Sequence, residues 1–232
     1  MACLDDSYQE TKSRLEAAAS KAGRKSEDIE LIAVSKTWPI EIISDLVNCG
    51  HKIFGENKVQ ELVDKYEKLP KDIQWHFIGH LQRNKVKYLA PFVDLIHSVE
   101  SLRLLKEVNK QGIKNNRIIN VLLQFHIAGE DTKFGLSLEE CIQLLESEEY
   151  LVMQNVKIRG IMGMATFTKD QKQVRGEFKS LKTIYDHLKS SSLSSEDGFS
   201  IISMGMSGDY EIAIEEGSNM IRIGSTIFGA RN

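Results

Sequence analysis

The chain has 232 residues, a length that suits one large domain or two small ones. Hydrophobic residues make up 41% of the chain, which is enough for a sizeable core. The formal net charge is only -3 and Lys and Arg are dispersed, so neither nucleic acid nor an anionic membrane is expected as a partner.

Short apolar runs rich in β-branched residues alternate with longer amphipathic segments along the chain. After a first helix at 5–21, the apolar runs predict eight strands at 31–35, 52–55, 74–78, 93–97, 118–124, 157–163, 200–203 and 220–223. The segments between them predict helices at 40–49, 58–69, 101–111, 138–147, 171–189 and 209–216. Strands alternating with helices favour a parallel sheet. Eight such units predict an α/β fold, a single TIM (β/α)₈ barrel domain over residues 1–232 with an extra N-terminal helix.

Lys36 directly follows the first predicted strand. Active sites of (β/α)₈ barrels lie at the carboxyl ends of the strands, so the amine of Lys36 is expected at the barrel mouth. Partial burial there would lower the pKa of the amine, and a neutral amine can form a Schiff base with an aldehyde. The alternative is that Lys36 is one of many solvated lysines, which is the better interpretation if this residue is taken alone.

Two loops near the end of the chain have the composition of a phosphate site. The segment SMGMSGD (203–209) follows strand seven, and RIGST (222–226) ends strand eight. Barrels often hold phosphate with the loops after these two strands. Three glycines let the backbone approach a ligand, Ser207 can donate its hydroxyl, and the N–H groups of the following helix point at an anion. Each loop alone could be a helix cap with ordinary turn glycines, but together they favour a phosphate.

Arg222 is expected to point into the barrel mouth opposite Lys36. There it could neutralise a phosphate or contact another part of the ligand. The alternative is a structural ion pair with a core carboxylate such as Glu56.

Further polar and soft side chains follow strands three and six. His76 and His80 have the spacing of a helical metal pair, but they straddle the end of a strand and no third ligand is evident, so no metal is predicted. His80 is expected to hydrogen-bond within the top loops. Met164 is expected to fill the core or to pack against a flat ring.

Several motifs occur in an order that resembles the pyridoxal phosphate homeostasis proteins, the YggS/PROSC family. They cover nearly the whole chain, residues 31–231, and are AVSKT (33–37), FGEN (54–57), WHFIGHLQ (75–82), SMGMS (203–207) and IRIG (221–224).

The resemblance implies a barrel like the N-terminal domain of alanine racemase, with pyridoxal 5′-phosphate bound covalently to Lys36 as a Schiff base. It also implies roles for other positions of this chain. Ser207, Gly224 and Thr226 would hold the phosphate, Arg222 would face the pyridine nitrogen, Asn57 would lie beside the ring, and Met164, Ser203 and Met204 would complete the cofactor-binding set.

The arginine favours a carrier over an enzyme. A cation beside the ring nitrogen disfavours protonation of the ring, which weakens it as an electron sink. Alanine racemase has a second catalytic base from another domain, which is not expected here. The sequence therefore predicts a protein that carries or buffers the cofactor, with PLP-dependent apoenzymes as recipients, and a monomer. The alternatives are an amino-acid racemase of reduced architecture and a lysine-dependent aldolase.

Cysteine usage indicates a reducing compartment. Cys3, Cys49 and Cys141 are far apart and odd in number, so neither a disulfide framework nor a thiolate zinc site is expected. No apolar run approaches the length of a membrane span. The expected location is the cytoplasm.

Overall fold

The computed structural model describes residues 4–129, 134–196 and 198–229. Eight parallel strands pair in sequence order, and β1 pairs with β8, which closes the barrel. The strands are β1 Glu30–Val34, β2 Ile53–Glu56, β3 Gln74–Phe77, β4 Leu95–Val99, β5 Ile119–Phe125, β6 Val156–Gly163, β7 Ile201–Met206 and β8 Met220–Ile223. The predicted α/β barrel is therefore confirmed.

Ten α-helices belong to the described part of the chain. They are α1 Leu4–Lys21, α2 Ile40–Asn48, α3 Val59–Lys68, α4 Val86–Leu89, α5 Leu102–Lys114, α6 Leu138–Glu146, α7 Glu148–Leu151, α8 Gln171–Ser190, α9 Tyr210–Glu215 and α10 Ser225–Phe228. The extra N-terminal helix is present as α1, which packs in the outer layer against α9 and α10. The short helices α4, α7 and α10 were not predicted, because four residues are too few to show a helical period.

Polar side chains mark where several helices begin. The Ser101 hydroxyl accepts from the backbone N–H of Leu104 at the start of α5. Ser137 and Glu140 form a reciprocal capping box on α6, and Asp170 accepts from the first N–H groups of α8. These contacts satisfy backbone donors that have no carbonyl partner within their helices. The local sequence therefore defines where α5, α6 and α8 start.

The barrel interior is apolar near the amino ends of the strands and polar towards their carboxyl ends. A compact inner cluster fills the lower part and consists of Ile32, Leu95, Leu122, Met162 and Met220. Side chains two residues apart on a strand share a face, so His97 follows Leu95 and Arg222 follows Met220 one layer nearer the mouth. The polar layer therefore forms the base on which a site at the mouth is built.

The structure bears on the membrane-span and cysteine expectations from the sequence. No helix of the described ranges is both long enough and apolar enough to span a bilayer. Cys49 is exposed and Cys141 is buried, and burial raises the pKa of the Cys141 thiol to about 12. Cys3 lies outside the described residues.

Candidate functional site

A cavity of about 620 Å³ opens at the carboxyl ends of the strands. This volume is within the usual range for small-molecule sites. The cavity brings together seven of the nine side chains or backbone positions that were singled out from the sequence, namely Lys36, Asn57, Met164, Ser207, Arg222, Gly224 and Thr226.

Two of the nine positions do not line the cavity. Ser203 is fully buried one layer below it, where its hydroxyl contacts Arg222. Met204 is also fully buried, but it lies in the larger core cluster that includes the helix-facing side of the sheet. Neighbouring residues of a strand point to opposite faces, so Met204 cannot share the inward direction of Ser203. The expectation that Met204 lines the pocket is wrong, and Met206 lines it instead.

Other lining residues were not singled out from the sequence. Met206 and Ser225 line the cavity and lie inside the segments SMGMSGD and RIGST. Their place in these segments could have predicted that they contact the ligand. Phe167 follows strand six by only a few residues and is 97% exposed at the rim. Its loop position after a strand was the only signal for it, since neither composition nor periodicity distinguishes it.

Arg222 is held from below by two acceptors. Its side chain is buried, and Nη1 donates to Ser203 Oγ at 2.5 Å while Nη2 donates to the carbonyl oxygen of Gly163 at 3.1 Å. Burial lowers the pKa of Arg222 to about 10, which still leaves it a cation at neutral pH. The alternative of an ion pair between Arg222 and Glu56 is wrong, because Glu56 pairs with Lys65 at 2.7 Å. The arginine is thus hydrogen-bonded by neutral acceptors, and the carboxylate of Asp209 in the same cavity interacts with its charge.

The hydrogen-bond chain under Arg222 continues through two buried histidines. His97 Nδ1 lies 3.1 Å from Ser203 Oγ, and His97 Nε2 lies 3.1 Å from His76 Nδ1. Arginine can only donate, so Ser203 Oγ accepts from it and its own proton is available to His97 Nδ1. These contacts link Arg222 at the cavity to His76 inside the barrel.

Both of these histidines and His51 are neutral. Burial lowers the pKa of His76 to about 3 and that of His51 to about 4, and it holds the pKa of His97 well below 6.5. We call these three residues the buried histidines. Because they carry no charge, Arg222 is the cation of the polar layer.

Asn57 presents an unsatisfied acceptor at the cavity. Its Oδ1 is buried and has no hydrogen-bond partner. Buried polar atoms are nearly always paired, so an orphaned oxygen in a pocket wall indicates a place for a donor from a ligand. Gly79 keeps Asn57 in place, since a Cβ at residue 79 would stand 2.3 Å from the Asn57 carbonyl oxygen.

The loops after β7 and β8 are tied to each other at the rim. The backbone N–H of Gly224 donates to Ser207 Oγ at 3.2 Å. Asp209 faces the same cavity, and its Oδ1 accepts from the N–H of Met206 at 2.6 Å. Gly205 has a φ of 97°, and a Cβ there would stand 2.7 Å from that of Ala213, so the turn requires glycine. The hydroxyls and first N–H groups of both loops therefore face one region of the cavity.

His76 and His80 make separate contacts. His76 points into the barrel towards His97, whereas His80 Nδ1 lies 3.1 Å from Glu100 Oε1 in the top loops, as predicted for His80. Within the described ranges, no group of three or more His, Cys, Asp or Glu side chains is arranged to hold a metal ion.

The chain is similar to known proteins over nearly all of its length. Residues 8–232 match the family model described as the alanine racemase N-terminal domain. A pyridoxal phosphate homeostasis protein of Aquifex aeolicus is 42% identical over 221 residues, with 94% of each chain covered. The protein of the same name from Escherichia coli is 36% identical over 234 residues, with 96% of this chain and 94% of that protein covered.

Solved structures share the same architecture. A protein of unknown function from Bifidobacterium adolescentis has a TM-score of 0.88 at 30% identity, with 97% of this chain and 94% of that chain covered. PipY of Synechococcus elongatus with PLP bound has a TM-score of 0.77 at 29% identity, with coverage of 93% and 100%. Alanine racemase of Bartonella henselae has a TM-score of 0.67 at 14% identity, with coverage of 98% and 58%, which supports the fold alone.

Proposed function

Because this chain belongs to the alanine racemase N-terminal domain family and, within it, to the pyridoxal phosphate homeostasis proteins, we propose that it binds pyridoxal 5′-phosphate in the cavity at the barrel mouth and buffers or delivers it. The observation that carries the proposal is the composition of this one cavity. It combines an amine, a buried guanidinium, an orphaned amide oxygen and two hydroxyl-bearing loops.

These groups fit the parts of the cofactor. The loops after β7 and β8 supply the hydroxyls of Ser207 and Thr226 for a dianionic phosphate, and Gly224 lines the same region and holds Ser207 Oγ through its N–H. Arg222 is the group for the pyridine nitrogen, and Asn57 Oδ1 is an acceptor for a hydroxyl at the edge of the ring. Met164, partly buried against the inner cluster, offers a polarisable surface to the ring.

Lys36 is the proposed point of covalent attachment. Its amine would hold the cofactor covalently, by condensing with the aldehyde group and releasing the aldehyde oxygen as water. When bound in this way, the cofactor would supply an electrophilic carbon that is conjugated with its aromatic ring. The residues of this chain bind, orient and shield that group, and Ser203 contributes indirectly by holding Arg222.

The surroundings of Arg222 favour a carrier over an efficient enzyme. A cation at the ring nitrogen keeps the ring unprotonated, which weakens it as an electron sink. The cavity lining within the described ranges contains no tyrosine that could act as a second base. Tyr185 and Tyr210 belong to α8 and α9, and neither lines the cavity.

The remaining parts of the proposal concern the protein's setting. The recipients are PLP-dependent apoenzymes, the protein is a monomer with residues 1–232 as a single domain, and it works in the cytoplasm. The scattered, odd-numbered cysteines support a reducing compartment.

The deciding experiment is borohydride reduction of the protein with pyridoxal phosphate, followed by peptide mass mapping. We expect the reduced adduct on the peptide that contains Lys36. The Lys36→Ala variant should keep its fold and lose the adduct and the near-ultraviolet or visible band. The control is Lys52→Ala, which removes an exposed lysine paired with Asp72 and should behave as the wild type.

Three results would contradict the proposal. An adduct on another lysine in the wild type would reject Lys36 as the attachment point. A colourless protein that traps a sugar phosphate would indicate an aldolase. Exchange of the α-proton of an amino acid in deuterated water, lost in Lys36→Ala, would indicate a racemase.

A further inference from the structure

We propose that Glu61 and Lys65 of α3 are positioning residues for Lys36, which they act on through the backbone on either side of it. The inference rests on the proposed attachment of the cofactor to Lys36. Neither Glu61 nor Lys65 was assigned a contact with the cofactor above. The positioning of Lys36 and the binding of the cofactor can therefore be tested separately.

The contacts of this pair converge on the segment that carries Lys36. Lys65 Nζ donates to the carbonyl oxygen of Ser35 at 2.8 Å, and the backbone N–H of Thr37 donates to Glu61 Oε1 at 2.5 Å. The two side chains are one helical turn apart and form an ion pair at 2.7 Å. The residue before Lys36 and the residue after it are therefore both anchored to the same face of α3.

A buried carboxylate completes the arrangement. Lys65 is only 4% exposed, and its ammonium also donates to Glu56 Oε1 at 2.7 Å. Ser35 Oγ donates to the same oxygen at 2.7 Å. An ammonium has three protons, and Ser35, Glu56 and Glu61 accept them, so the geometry of the lysine is fully determined. We name Glu56, Glu61 and Lys65 the α3 clamp.

The backbone at Thr37 shows why such a clamp is needed. Thr37 has a φ of 69°, in the left-handed region that β-branched residues rarely adopt. Such a conformation persists only where surrounding contacts impose it, and these residues cluster at functional sites. The hydrogen bond from the Thr37 N–H to Glu61 is one such constraint. A second is the hydrogen bond from the Trp38 N–H to the carbonyl oxygen of Ser35, at 3.0 Å, which closes the turn.

The consequence for Lys36 is a restricted direction of approach. The long side chain of a lysine has many rotamers, and covalent capture requires Nζ to meet an aldehyde carbon at a defined angle. Fixing the backbone of Ser35 and Thr37 removes backbone conformations in which the side chain of Lys36 cannot bring Nζ to the aldehyde carbon. The Glu61–Lys65 pair contacts the peptide groups on both sides of Lys36, which is the arrangement that a positioning role requires.

The test measures the rate of covalent capture at Lys36. Cofactor-free protein is mixed with pyridoxal phosphate, quenched with borohydride at timed intervals, and the adduct on the Lys36 peptide is quantified by mass spectrometry. Glu61→Ala and Lys65→Met should slow capture by about tenfold, the equilibrium factor that corresponds to one charge-assisted hydrogen bond. Glu61→Gln retains an oxygen for the Thr37 N–H and should recover most of the rate.

A second measurement needs no cofactor. The amide hydrogen of Thr37 should exchange with deuterium about tenfold faster in Glu61→Ala than in the wild type, because its acceptor is gone. Exchange at Leu104, whose acceptor is Ser101 Oγ in the distant α5, should not change. Thermal unfolding of each variant separates these local effects from loss of folded protein.

The controls distinguish failure of this inference from failure of the proposed function. Lys52→Met breaks an exposed ion pair of equal length, Lys52–Asp72, and should capture the cofactor at the wild-type rate. Burial raises the pKa of Glu56, so in Lys65→Met this carboxyl can become neutral instead of remaining an unpaired charge. If Lys65→Met nevertheless unfolds, the Glu61 variants decide the question. Wild-type capture rates and wild-type Thr37 exchange in folded Glu61→Ala would overturn the clamp, whereas a wild-type adduct on another lysine would overturn the proposed function.

Discussion

Replacing Ser203 with alanine tests the chain of contacts that orients Arg222. The hydroxyl accepts a hydrogen bond from the guanidinium at 2.5 Å and lies 3.1 Å from His97 Nδ1, and all three side chains are buried. A hydrogen bond to a charged group contributes about 1.5–3 kcal/mol and a neutral one about 0.5–1.5 kcal/mol. We therefore expect Ser203→Ala to lower the free energy of unfolding of the cofactor-free protein by about 2–4 kcal/mol.

The assay is urea unfolding, with the slope of the free energy against urea unchanged between wild type and variant. Affinity for pyridoxal phosphate should also fall, since the guanidinium would lose its main acceptor. The matched control is Ser190→Ala at the exposed end of α8, which should change stability by less than about 0.5 kcal/mol. A loss below about 1 kcal/mol for Ser203→Ala would show that these contacts do not hold Arg222 in place.

Three further perturbations test the site and its base. Arg222→Gln removes the cation, so pyridoxal phosphate should bind more weakly and its absorbance band should shift; a titration with unchanged affinity and spectrum would exclude Arg222 from the site. Gly79→Ala places a Cβ 2.3 Å from the Asn57 carbonyl oxygen and should destabilise the protein by about 1–3 kcal/mol in urea unfolding, whereas Gly176→Ala, with open space around it in α8, should be neutral or stabilising. The three buried histidines have folded-state pKa values below 6.5, so the unfolded chain binds more protons below that pH. Stability of the cofactor-free protein should then fall from pH 6.5 towards pH 4, by up to about 1.4 kcal/mol per pH unit for each histidine, and a flat profile would mean that they are accessible to solvent.

The order of elements could be predicted because it depends on local patterns. Apolar runs and helical periods are properties of short segments, and the predicted starts of α5 and α6 lie within one residue of those observed, beside the caps Ser101 and Ser137. The side chains at the carboxyl ends of the strands could also be predicted from the sequence. Lys36, Ser207 and Arg222 follow or end strands, and closure of the barrel brings all such ends to one mouth.

Other features depended on distances between residues far apart in the chain. Ser203 and Met204 are neighbours in one motif, yet only the register of β7 decides which of them points into the barrel, and a register shift lies between Ser203 and Met206. The contact of Thr37 with Glu61 joins residues 24 positions apart, and nothing in either local sequence indicates it.

The sequence by itself therefore determined the fold class, the order of its elements and the kinds of groups at the barrel mouth, because hydrophobic periodicity and strand-end position are local. The tertiary structure alone decided which polar groups are buried, which acceptor Arg222 uses, and how the backbone around Lys36 is held. Burial and hydrogen-bond geometry arise only when distant segments pack together, and they set the charge and direction of each group in the cavity.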